Sequence, residues 1–387
     1  MAWLEHQNWN RQVQKGQNIV RLLICAGGTG GGVYPALSVL QAIGNRAEAV
    51  LWVGVKGGME ADLVTRQNVP FTAIPAAGVH GVSLRALPGN LIKLAQGISH
   101  SGRILKEFRP DVLFFTGGYV AVPMSIAAGK IPNVLYVPDV EPGLALKTLA
   151  KRASAIALTV EDSRKFFDPH KKLVVTGYPV RPELLGWTRA DANKTFELTS
   201  DLPVLFIFGG SKGAHLINTA VFAVLEQLLS LCQVLHITGD EDFVEARSLQ
   251  SALVPTLGSR YHIYSYLHEE MGAAFAAADL VVSRAGASTL GELPAFGLPA
   301  ILVPYPFAWH YQKVNADYLA GSGAAVVVEN SELAQRLVAE VKAMLADPQA
   351  LTAKKNAMQA LAVPTAAENI AQLVLEQAVK KGERKND

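Results

Sequence analysis

Cysteine is almost missing: Cys25 and Cys232 are the only two in 387 residues, far apart and each inside an apolar run. No CxxC pair or Cys/His cluster accompanies them, so they read as buried thiols of a reducing compartment and suggest no metal. Charge is scarce too. Charged residues make up 18% and the net charge is only +2, so no overall field steers the chain toward nucleic acid and any basic patch is local. No apolar stretch reaches the roughly 18 residues that span a bilayer. The opening MAWLEHQNWNRQVQKGQN is polar and lacks an apolar signal core. A cytoplasmic protein whose membrane contact is at most peripheral is the expectation. What is abundant is apolar: 50% hydrophobic residues allow a large core, and the length suggests two domains at roughly 100–200 residues each.

After an extension over 1–18, with Trp3 and Trp9, a rhythm begins at Arg21. RLLICA, AVLWVGV, FTAIPA, DVLFFTGG, NVLYVPD and AIALTV are short continuous apolar runs, many with helical segments between them. That alternation predicts a parallel sheet covered on both faces. The rhythm restarts at Pro203 with PVLFIFGGSKGA and continues through QVLHITG, RYHIYSY, DLVVSRAG and PAILVPYP. The fold class expected is α/β, two Rossmann-like parallel-sheet domains facing an interdomain cleft. The boundaries are placed at 19–180 and 181–365, with a C-terminal helix and solvated tail over 366–387. The proline-rich Gly177–Gly186 is the linker candidate.

Ligands of open parallel sheets bind beyond the carboxyl ends of the strands, and most of the motifs fall there. Gly27–Gly32 follows the first strand, and Pro35 suits the first turn of the next helix. Glycines let amides approach an anion, and a helix N-terminus adds partial positive charge. A dinucleotide fingerprint would need glycine at 33, which is Val33, and an acid after the second strand, which is missing. Gly209–Ala214 repeats the pattern with Ser211 and Lys212 but is not a P-loop. In the run Ser283–Glu292, small residues suit a diphosphate and Glu292 suits the two hydroxyls of a ribose, although Thr289-x-x-Glu292 reads equally as a capping box. Pro304–Asn315 sets His310, Gln312 and Asn315 among aromatics, which suits sugar recognition or a packed loop. Residues 79–109 interleave Arg85, Lys93, Arg103, Lys106 and Arg109 with leucines and isoleucines. That mixture suits an anionic membrane surface or an ordinary solvated helix.

Together these segments resemble the MurG family over about Arg21–Ala371. The resemblance is carried by GGTGG at 27–31, TGGYVAVP at 116–123, GYPVRPEL at 177–184, GGSKGA at 209–214, RAGASTLGE at 284–292 and Gln312-x-x-Asn315-Ala316. It implies a GT-B fold and transfer of N-acetylglucosamine (GlcNAc) from UDP-GlcNAc to lipid I, giving lipid II on the cytoplasmic membrane face. It further implies that Thr29, Gly30 and Gly31 meet the donor sugar and diphosphate, and that Arg181 and Ser211 bind from the cleft. Ala287, Ser288 and Thr289 would hold the phosphates, Glu292 the ribose and Gln312 the GlcNAc. Tyr119 would lie on the acceptor side, and 79–109 is where the family docks on the membrane.

Two positions depart from the family. Its histidine after GGTGG is Gly32 here, and its His-Glu-Gln-Asn stretch is Tyr136-Val137-Pro138-Asp139. Inverting displacement needs an oriented hydroxyl, a base and a stabilised leaving group. Asp139 is the first candidate for the base and Glu141 the second. No metal and no cofactor are expected. The partners expected are UDP-GlcNAc, a lipid-linked acceptor and an anionic membrane surface, with no nucleic acid. A related transferase with another lipid acceptor, a non-catalytic UDP-sugar binder and a UDP-sugar epimerase remain as alternatives.

Overall fold

The computed structural model describes residues 19–28, 30–55, 57–78, 87–210, 214–305 and 311–383. The chain forms two compact units, crossing from the first to the second after Pro179 and returning after Pro364.

The first unit is built on seven strands: β1 Val20–Cys25, β2 Ala47–Val55, β3 Phe71–Ile74, β4 Val112–Phe115, β5 Asn133–Val137, β6 Ala155–Leu158 and β7 Leu173–Val175. They pair in the order β3-β2-β1-β4-β5-β6-β7, every neighbour parallel. Leu22, Leu23, Ile24 and Cys25 are all fully buried, as expected of a strand with both faces covered. The helices that bear on function are α1 Gly30–Ile43, α2 Met59–Arg66, α3 Leu87–Phe108, α4 Ala121–Ala127 and α5 Leu144–Ala150. Because α1 starts at Gly30, Pro35 falls in its second turn and not its first, where it removes the amide that would bond the Gly31 carbonyl.

The segment from Ala366 is more than a solvated tail. The helix Ala366–Glu383 returns to the first unit and lies against α1, β4, β5 and β6. It buries Ile370, Ala371, Leu373, Val374 and Leu375 there.

The second unit has six strands: β8 Val204–Phe208, β9 Gln233–Ile237, β10 Tyr261–Tyr264, β11 Leu280–Ser283, β12 Ala300–Leu302 and β13 Ala325–Val327. Their order is β10-β9-β8-β11-β12-β13, again all parallel. In each sheet the strand order reverses next to the first strand, at β1/β4 and at β8/β11. Loops diverge at such a switch point and leave room for a ligand.

Candidate functional site

In the first unit the switch point brings together two glycine turns. Gly28, after β1, has φ +90, a left-handed conformation that favours glycine. Gly118, after β4, has φ +81, and a Cβ there would stand 2.8 Å from the Gly27 carbonyl oxygen. The two turns therefore nest backbone against backbone. Thr116 donates its hydroxyl to the Gly32 carbonyl at 2.8 Å. A Cβ on Gly32 would meet that same hydroxyl at 3.2 Å, so a side chain at position 32 would press on Thr116.

Gly30 and Gly31 open α1, while Thr29 lies outside the described residues. Tyr119 is 58% exposed. Its ring lies against Gly78, whose carbonyl accepts from the Asn90 amide at 2.7 Å.

The stretch after β5 divides in two. Tyr136 is fully buried, and its hydroxyl bonds Thr159 Oγ1 at 2.8 Å. Burial, reinforced by the charge of Asp139, holds this phenol well above its usual range. Tyr136 is therefore a core group and not a ligand of substrate. Asp139 is half-buried, just past the strand. Glu141 is tied to Lys147 at 3.1 Å.

Sequence reasoning missed Glu60, a carboxylate only 1% exposed. It accepts the Val55 amide at 2.9 Å and reaches the Gly28 amide at 3.4 Å. Cys25 lies beside it. Burial first, and then the charge of Glu60, push that thiol upward, so it is inert. The signal for Glu60 was faint: the first of two acids in KGGMEADL, two residues after a glycine pair.

In the second unit the run after β11 is held from behind. Arg284, 9% exposed, donates to the Val303 carbonyl at 3.0 Å and to Asn330 Oδ1 at 2.8 Å. Its guanidinium also lies over Tyr305, 5.4 Å from the ring centroid. Asn315, fully buried, donates to the Ala285 carbonyl at 3.1 Å. Asn315 thus serves as a brace. Gln312 accepts the Tyr305 amide at 2.9 Å. Ser211 and His310 lie outside the described residues.

Ala287 and Ser288 are partly exposed just ahead of the helix Thr289–Phe296. The capping box does not form. Thr289 is the first helical residue, and its hydroxyl turns back to the Gly286 carbonyl at 2.6 Å. Glu292 is therefore not used as a box partner. Its side chain is 12% exposed, with Arg181 Nη2 at 4.0 Å. Burial raises the carboxyl of Glu292, against the opposing pull of Arg181 and Ser288.

A second polar cluster pins the helix that follows β8. His215, at its start, meets Asp242 at 2.8 Å. Asn218 donates to Asp242 Oδ2 at 2.6 Å and to the Thr238 carbonyl at 2.7 Å. Asn218 Oδ1 faces His236 Nε2 at 3.0 Å, and His236 Nδ1 faces the Tyr261 hydroxyl at 2.9 Å. Burial lowers His236 to about 3. It stays neutral, with the proton on Nε2 and Nδ1 accepting from Tyr261.

Comparison with known proteins adds the following. Residues 22–158 match the glycosyltransferase family 28 N-terminal domain, and residues 204–370 match the family 28 C-terminal domain. The chain is 39% identical to the UDP-N-acetylglucosamine--N-acetylmuramyl-(pentapeptide) pyrophosphoryl-undecaprenol N-acetylglucosamine transferase of Roseiflexus sp. (strain RS-1). That match covers 92% of this chain and 94% of the relative. It is 38% identical to the protein of the same description in Desulforudis audaxviator, covering 94% and 100%. Among solved structures, Acinetobacter baumannii MurG matches with a TM-score of 0.74 at 28% identity, over 92% of this chain and 99% of that one.

Proposed function

This chain belongs to the MurG family within glycosyltransferase family 28, and we propose that it moves GlcNAc from UDP-GlcNAc to a lipid-linked muramyl-pentapeptide acceptor. The observation that carries the donor side is the second unit's switch point. There a run of small residues is braced from behind by Arg284 and Asn315 and backed by nearly buried Glu292. The amides of Thr289 and Leu290 already bond the carbonyls of Gly286 and Ala287. A diphosphate would therefore be met by the amides of Ala287 and Ser288 and by the positive end of the helix. Glu292 accepts the ribose hydroxyls, with Arg181 beside it as the countercharge. Ser211 and Gln312 complete the donor contacts by resemblance.

On the first unit, Gly30 and Gly31 present the opening amides of α1, and Thr29 joins them by resemblance. Tyr119 belongs to the acceptor side. The base is Asp139. Glu141, held by Lys147 at 3.1 Å, is the second candidate, and Gly32 carries no titratable group. Displacement then needs no group beyond the acceptor hydroxyl, this carboxylate and the helix-end dipoles that receive the charge of departing UDP.

No helix among the described residues is long and apolar enough to cross a membrane. The proposed contact with anionic lipid at the cytoplasmic face runs through the 79–109 region. Support comes from α3, whose Leu91 and Ile92 are 50% and 60% exposed beside exposed Lys93. Residues 79–86 lie outside the described residues.

The test is labelled UDP-GlcNAc with the purified chain, with and without a short-chain lipid I analogue. The expected result is label in the lipid with UDP released in proportion. Release of UDP without lipid labelling, or binding without transfer, refutes the acceptor assignment.

A further inference from the structure

Glu60 is a carboxylate that nothing in the transfer chemistry uses, and it sits directly behind the turn that leaves β1. Room for it is made by three glycines. A Cβ at Gly27 or Gly58 would stand 2.5 Å from Glu60 Oε1, and a Cβ at Gly54 would stand 2.9 Å from Glu60 Cγ. It accepts hydrogen bonds from two backbone amides, Val55 at the end of β2 and Gly28 in the turn. Burying a carboxylate is costly unless hydrogen bonds compensate it, and an apolar side chain would fill the same space without that cost.

Glycine turns after a first strand ordinarily point their amides at an external anion. Here the Gly28 amide is turned inward, toward an anion that the protein itself supplies. That commitment fixes which way the peptide between β1 and α1 faces. It thereby fixes the direction of the first amides of α1, which have no partner inside the helix.

We propose that Glu60 is a positioning residue for the transfer reaction, an internal anion that locks the turn between β1 and α1 in the orientation substrate requires. The proposal rests on reading the chain as a GlcNAc transferase. Glu60 acts through the turn and touches no substrate.

Three measurements on the full chain test it: transfer turnover, UDP affinity by calorimetry, and amide exchange by mass spectrometry. Displacing a substrate-orienting group by about 1 Å costs up to roughly a hundredfold in rate. E60Q is accordingly expected to lower kcat roughly 10- to 100-fold while the Kd for UDP changes less than about twofold. Peptides containing Gly28 and Val55 should exchange at least about tenfold faster, and peptides of the second unit should be unchanged. G27A keeps the carboxylate and reports even where E60Q is not recovered. It should lower turnover in the native background but change it less than about threefold in E60A, because the atom it strikes is then gone.

Native turnover and native exchange in E60Q overturn the proposal, as do strictly additive effects of G27A and E60A. Faster exchange with unchanged turnover overturns it as well, leaving Glu60 a structural group. If the native chain moves no GlcNAc at all, the transferase reading falls instead, and the exchange arm alone decides whether Glu60 holds the turn.

Discussion

Replacing Glu292 by alanine is the most direct test of the donor assignment. A carboxylate that accepts two ribose hydroxyls makes two charge-assisted hydrogen bonds, each worth about 1.5–3 kcal/mol net. Part of that is offset by water that solvates Glu292 when no nucleotide is bound, although at 12% exposure the side chain admits little. A net loss of about 2–4 kcal/mol follows, or roughly 30- to 1,000-fold in the Kd for UDP. The substitution has a side effect. Arg181, 4.0 Å away, loses the attraction of this carboxylate, about 4 kcal/mol at an effective dielectric of 20, which changes its pull on phosphate. A ligand cycle removes that effect, because UDP and 2′,3′-dideoxy-UDP carry the same diphosphate. In calorimetry the native chain should prefer UDP by the full factor, and E292A should bind the two alike. The pH response has a definite sign. Burial raises the Glu292 carboxyl, so UDP affinity should fall as pH drops through that raised value, and E292A should lack the fall. An E292A chain that weakens both ligands equally, or weakens UDP by less than threefold, refutes the ribose role.

Four further outcomes are expected. D139N should lower transfer by roughly 10²- to 10⁴-fold, the usual worth of a general base, with UDP affinity unchanged; full turnover removes the assignment. G97A should cost about 1–3 kcal/mol, because its Cβ would run into the Pro75 carbonyl and into Pro123 where α3 crosses α4. A scanning calorimeter reads this as a lowered Tm. Asp279 is bound by Arg189 at 2.6 and 3.0 Å and by the Val204 amide at 3.1 Å, with Lys355 at 3.3 Å. Burial raises its carboxyl, but these partners prevail and lower it. Its stabilisation is therefore full above the unfolded value of about 3.9 and lost as pH falls through the lower folded value; melting curves of D279N should lose that acid limb. Serine at both Leu91 and Ile92 should weaken binding to vesicles containing anionic lipid at least about fivefold, and unchanged sedimentation with vesicles would count against a docking role for α3.

The interior strands were legible because a strand buried on both faces must be apolar throughout. Leu22–Cys25 and Val204–Phe208 announce themselves in this way. The outermost strands β7 and β13 were not, since each is three residues long and partly exposed at a sheet edge. Glycine turns at strand ends were visible as composition, and their spacing carried the likeness to the family. What no spacing reveals is which amide faces inward. Glu60 was missed because its partners are backbone groups of residues 28 and 55, set beside it only when β1 and β2 pair. Thr289-x-x-Glu292 satisfied a local capping rule, yet the helix began one residue early and left Glu292 for other use. Asn315 looked like a sugar ligand and is a brace, a distinction set by its full burial beneath Ala285.

The return of Ala366–Glu383 to the first unit has a consequence for biosynthesis. Every residue of the second unit lies in one uninterrupted stretch, so it can assemble as soon as Pro364 has left the ribosome. The first unit cannot: the flank of α1, β4, β5 and β6 stays uncovered until this helix emerges. The unit translated first is thus completed last. During that interval it exposes an apolar surface while a whole second unit is synthesised, and a chain arrested before Ala366 would carry that surface permanently.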